Sequence, residues 1–190
     1  MMDAFDRAIM FAAQKHSGAV RKGTKIPYIV HPMEVAAIAA TMTDDPEVLA
    51  AAVLHDVAED VGITEGELTE RFGERIARLV MSESEDKREG ENKAESWRIR
   101  KEETIQHLQN ATDINVKIIA LSDKLSNMRS IYRDYTSIGE SFWLRFNQKD
   151  KTQHAWYYSE VAKALSDLSD TFAWQEYSQL IKNVFGEAVQ

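Results

Sequence analysis

His55 and Asp56 are where chemistry is easiest to place in this chain. They end a run of seven apolar residues, Val48 to Leu54, and are followed by Glu59 and Asp60, in the stretch VLAAAVLHDVAED. A segment so rich in Ala and Leu predicts a helix buried on most of its circumference. Unpaired charges at the end of such a helix cost several kcal/mol or are forced into their neutral form. Two carboxylates and an imidazole are most simply compensated by a divalent cation. On a helix continuing to Asp60, His55 pairs with Glu59 and Asp56 with Asp60, four residues apart and on one face.

The absence of cysteine excludes disulfides, thiolate metal sites and cysteine nucleophiles, so any metal is held by His and carboxylates. Two further residues have the right type and setting. His31 precedes Pro32, which suits the first position of an Ala-rich helix running to Met42 and puts His31 near its N-cap. Asp123 lies in DINVKIIALSDKLSNMRSI, where one stripe is Ile118, Leu121, Leu125 and Met128. A second stripe, Val116, Ile119 and Ala120, runs on into Asp123 and Asn127. A helix apolar on both sides is buried, so Asp123 and Asn127 point inward. His31, His55, Asp56 and Asp123 form a mixed N/O set that suits Mn²⁺, Fe²⁺ or Zn²⁺ better than Ca²⁺ or Mg²⁺.

Charge supplies a second clue. The chain has a formal charge of −8, which argues against nucleic acid as its main partner. Yet residues 1–30 carry five Lys/Arg (Arg7, Lys15, Arg21, Lys22, Lys25) against two acids. Three of the cations fall in SGAVRKGTKIP, just before His31. Taken alone, such a loop is more often a solvated surface than a binding one; an anionic ligand at the metal site would give it a purpose. His16, His107 and His154 have no motif around them and read as bystanders. Lys124 reads as structural or as a surface charge.

The elements that must position these groups are helical. Apolar spacing predicts helices over 2–16, 32–42, 48–60, 64–72, 74–81, 94–110, 113–131, 150–168 and 172–185, with a Thr64/Glu67 capping box opening the fourth. Residues 82–96 read as a polar loop. Aromatic residues concentrate in the last third, as core or as the interface of a homodimer. With few Pro and Gly and no need for a strand, the expectation is an all-α bundle of roughly eight to ten helices forming one domain over 1–190. The N-terminus does not read as a signal peptide and no segment reads as a membrane span, so a cytoplasmic protein is expected.

The motifs RKGTKIPYIVHP, LHDVAED, LTERFG and LSDKLSNMR together resemble the HD superfamily of metal-dependent phosphohydrolases. More narrowly, they are similar to the hydrolase domain of RelA/SpoT-type alarmone enzymes, over about residues 4–135. With no room for a synthetase domain, the expected form is the stand-alone small alarmone hydrolase, the group of the metazoan SpoT homologue. The resemblance implies Mn²⁺ held by His31, His55, Asp56 and Asp123, with Glu59 and Asp60 orienting the attacking water and moving its proton. It implies that Arg21, Lys22, Lys25, Tyr28 and Asn127 contact the substrate. The implied reaction is hydrolysis of the 3′-diphosphate of guanosine tetra- or pentaphosphate to GDP or GTP and pyrophosphate. Residues 82–110 match no motif and leave base specificity open, with adenosine alarmones or another phosphorylated nucleotide as alternatives; an HD phosphatase or phosphodiesterase on ordinary nucleotides and an inactive nucleotide sensor are the competing readings.

Overall fold

Capping chemistry marks where the helices begin. The structure, a computed structural model, describes residues 2–84, 90, 92 and 94–186, with the side chain of Asp60 outside the description. Asp3 accepts from the Asp6 amide at 2.8 Å to open α1 (Ala4–Lys15). Val30–Ala39 forms α2. Asp45 accepts from the Glu47 amide at 2.9 Å and Pro46 takes the first turn, opening α3 (Pro46–Leu54). Then follow α4 (Val57–Val61), α5 (Glu65–Phe72) and α6 (Glu74–Glu83), with the Thr64/Glu67 capping box present as expected at the start of α5. The remaining helices are α7 (Trp97–Asn110), α8 (Ile114–Ile138), α9 (Lys151–Ala164) and α10 (Phe172–Phe185). Short 3-10 segments cover Gly139–Arg145 and Ser166–Leu168. Among the described residues the extended structure is a single antiparallel bridge, Val20 to Pro27. The all-α expectation holds, and no described helix is long and apolar enough to cross a membrane.

Several boundaries move. The predicted helix 48–60 is two helices, broken at His55–Asp56. His55 Nδ1 lies 2.8 Å from the Ala52 carbonyl, the acceptor that a continuing α-helix would offer to the Asp56 amide, so the side chain competes with the ladder at that turn. Gly62, in the left-handed region at φ 71°, then ends α4 after five residues. Helix α2 starts at Val30, so His31 and Pro32 sit inside its first turn, where Pro's missing N–H has no helical acceptor to lose. Ser82 and Glu83 extend α6, α7 begins at Trp97, and residues 85–89, 91 and 93 of the expected 82–96 loop lie outside the described residues.

The chain divides into two compact units, Met1–Glu85 with Asp113–Asp123, and Asp86–Thr112 with Lys124–Gln190. In the first, α3 is the centre: α1, α2 and α6 all pack on it, and six of its nine residues (Val48, Ala50, Ala51, Ala52, Val53 and Leu54) are buried. The apolar run predicted this; water reaches α3 mainly at its first turn, at Pro46 and Glu47. Arg75 of α6 bonds both Asp45 and Glu47 at 2.6 Å, tying α6 to the first turn of α3. In the second unit α9 packs on α7 and α10, around Tyr177, Leu165, Leu108 and an aromatic group. The apolar stripes of α8 are buried as expected, from Val116 and Ile119 to Leu125 and Met128.

Candidate metal centre

Two helices and one break bring the predicted ligands together in the first unit. His31 comes from the first turn of α2, His55 and Asp56 from the α3–α4 break, and Asp123 from α8. One ligand atom each from His31, His55 and Asp123 lie within 4.8 Å of one another, and all three residues are buried. Asp123 Oδ1 is 3.1 Å from His31 Nε2 and 3.7 Å from His55 Nε2. Asp56 Oδ2 is 3.0 Å from His55 Nε2 and 3.5 Å from His31 Nε2. The two imidazoles meet edge to face with centroids 5.1 Å apart.

The tautomer of His55 tests whether a cation fits. A carbonyl only accepts, so Nδ1 carries its hydrogen toward Ala52 and Nε2 of the neutral ring presents a lone pair. That buried Nε2 faces the carboxylates of Asp56 and Asp123 without hydrogen-bond alignment to either. Acceptors converging in a buried place require a positive charge among them. Burial opposes charge on His55, but the neighbouring carboxylates of Asp56 and Asp123 overcome it and raise its pKa well above the ordinary value. At His31 burial prevails over the same carboxylates and the pKa is lowered. Burial also works against the Asp56 anion, and His55 and then His31 outweigh it, holding Asp56 well below the usual carboxylate range. Two imidazole nitrogens and two carboxylates aimed at one buried point are a donor set for a borderline divalent metal.

The loop before His31 is folded against this cluster through Tyr28. Arg21 N–H donates to the Ile26 carbonyl and Tyr28 N–H to the Ala19 carbonyl, both at 2.9 Å, closing a small hairpin around the Val20–Pro27 bridge. The Arg21 guanidinium lies 5.5 Å from the centroid of the Tyr28 ring. The Tyr28 hydroxyl donates to Asp56 Oδ2 at 2.7 Å. Lys22 and Lys25 are exposed on the same loop. Glu59 is half-buried in α4, and Asp60 shares that helix while its side chain lies outside the described residues. Asn127 is half-buried further along α8, in the second unit.

Of the three histidines read as bystanders, His107 is exposed and His154 is buried among aromatic rings of the second unit. His16 is different. It caps α1, is buried, and packs its ring 4.8 Å from that of Tyr28. No spacing in the sequence points to it, because the contact links a helix end to a loop residue twelve positions away.

An HD domain family match covers residues 8–139, and the chain belongs to that family. Among curated relatives, it is 37% identical over 134 residues to the guanosine-3′,5′-bis(diphosphate) 3′-pyrophosphohydrolase of Aquifex aeolicus (strain VF5), covering 68% of this chain and 18% of that protein. It is 35% identical over 138 residues to the GTP pyrophosphokinase of Myxococcus xanthus, with 68% and 17% covered. The chain thus spans less than a fifth of the length of these relatives. Its fold is similar to that of a metazoan orthologue of SpoT that hydrolyses ppGpp, with a TM-score of 0.79, 24% identity and 98% of each chain covered. It is also similar to a crystal structure from Listeria monocytogenes EGD-e, with a TM-score of 0.73, 28% identity, and 83% of this chain and 99% of that one covered.

Proposed function

We propose that the chain is a Mn²⁺-dependent hydrolase that removes the 3′-diphosphate of guanosine tetra- or pentaphosphate, yielding GDP or GTP and pyrophosphate. The observation that carries the reading is the buried convergence of His31, His55 and Asp123, with Asp56 facing both imidazoles, beside a hairpin that bears Arg21. The likeness to a named 3′-pyrophosphohydrolase supports the substrate class. His31, His55, Asp56 and Asp123 would hold the ion, which when bound makes water more acidic and polarises a phosphoryl oxygen.

The rest of the work falls to the chain's own side chains. Glu59 and Asp60 orient the attacking water and take its proton. The water oxygen bonds to the phosphorus attached at the 3′ oxygen, the 3′ O–P bond breaks, and the 3′ oxygen ends protonated. Arg21, Lys22 and Lys25 offset the negative charge of the diphosphate that is transferred to water, Arg21 with a planar fork that also lies flat against a purine. A nucleotide substrate of this kind supports a cytoplasmic location.

Purified protein incubated with MnCl₂ and guanosine tetraphosphate is expected to give GDP and pyrophosphate by ion-exchange chromatography, with none formed in EDTA. Release of orthophosphate, or full activity in Glu59→Ala, would sink the reading. The same assay on adenosine 3′-diphosphates sets the base specificity.

A further inference from the structure

We infer that Tyr28 is a positioning residue for the metal centre, aiming Asp56 through its phenol; this rests on the reading of His31, His55, Asp56 and Asp123 as metal ligands. The atom it touches carries the argument. Asp56 Oδ2 lies nearest both imidazoles, 3.0 Å from His55 and 3.5 Å from His31, and it also accepts the Tyr28 hydroxyl at 2.7 Å. A carboxylate oxygen has lone pairs for two partners. One faces the cluster, and the charge-assisted bond to the phenol fixes where it points.

Asp56 needs such a partner because of where it sits. It is the N-cap residue of α4, one position beyond the C-cap of α3, and its side chain makes no capping bond that would fix the carboxylate. Tyr28 is well held in turn. Its amide bonds to Ala19, its ring packs on buried His16, and Arg21 lies beside the same ring. The hairpin that presents the cations therefore also sets the direction of a metal ligand. The family resemblance implies that Tyr28 contacts the substrate; its phenol also reaches the candidate metal cluster through Asp56.

Outer-shell partners of metal ligands typically change affinity by about 10–100-fold. Tyr28→Phe keeps the ring and removes only the hydroxyl. Its Mn²⁺ dissociation constant, read from the paramagnetic resonance signal of the free ion without nucleotide, is expected to rise by about 10–100-fold. In the hydrolysis assay the Mn²⁺ concentration for half-maximal rate should rise by the same factor. Unfolding midpoints in EDTA should be the same for both proteins. A wild-type Mn²⁺ constant in Tyr28→Phe overturns the inference, as does a lowered EDTA midpoint that accounts for the weaker binding. A wild-type protein that takes up no Mn²⁺ overturns the metal reading itself, a separate and distinguishable failure.

Discussion

Each compact unit buries histidine, and the two sites use it in opposite ways. In the first unit the imidazoles of His31 and His55 face carboxylates, and the group as a whole calls for positive charge. In the second, His154 sits against the rings of Trp97, Trp143 and Phe146, with centroids 4.9–5.4 Å away, and its Nε2 hydrogen goes to the Gln148 carbonyl at 2.9 Å. No carboxylate oxygen among the described ion pairs lies against it. Burial lowers its pKa, the Gln148 bond opposes this, and it is a neutral core residue. A buried imidazole by itself therefore indicates nothing about metal. The difference lies in whether its free lone pair meets another acceptor.

The sharpest way to break this contrast is to truncate each ring in turn. His55→Ala is expected to weaken Mn²⁺ binding by at least about 100-fold, beyond the range of outer-shell changes. It should also abolish the heat stabilisation that saturating Mn²⁺ gives the wild type, about 2.7 kcal/mol when the ion is at 100 times its dissociation constant. His154→Ala should leave the Mn²⁺ constant untouched and destabilise the second unit by about 2–4 kcal/mol, through the cavity and the unpaired Gln148 carbonyl. Calorimetry with and without Mn²⁺ reads both. Equal loss of Mn²⁺ binding in the two variants would erase the distinction.

A subtler contrast lies in pH. Because the folded pKa of His154 is lowered, the unfolded chain binds its proton more readily. The stability tied to its neutral form is whole above the ordinary histidine pKa of about 6.5 and is lost as pH falls from there toward the folded value. Urea unfolding at stepped pH in saturating Mn²⁺ should show that loss in the wild type and not in His154→Phe. Identical pH slopes in the two proteins would refute it.

The smallest effect belongs to the Arg75 clamp. Arg75 holds the Asp45 carboxyl below its usual range, so its support is present above about pH 4 and lost as pH falls through the lowered value. The partners are partly exposed, and Arg75→Ala should cost under about 1 kcal/mol at pH 7. Urea midpoints at pH 7 and pH 3 check this, and a cost that does not shrink at pH 3 would show another origin.

How much of this was legible follows the range of the interactions. The apolar run to Leu54, the Thr64/Glu67 box and the two buried stripes of α8 are local patterns, and each appears where its spacing placed it. The four candidate ligands were legible because the sequence joins His and Asp to buried helices. The break at His55 was not, since it turns on a side-chain rotamer that brings Nδ1 to Ala52. Nor were the pairing of Tyr28 with Asp56, 28 residues apart, or the packing of His16, both of which depend on how the chain folds back.

The interruption between α3 and α4 also bears on how the chain tolerates insertions and deletions. In an unbroken helix each added residue turns everything beyond it by about 100°. Here His55 takes its direction from α3 and from Ala52, upstream of the break, and the left-handed turn at Gly62 closes α4 independently. A relative could gain or lose a residue between Asp56 and Gly62, turning the acids of α4 to a new direction while its histidine stays in register.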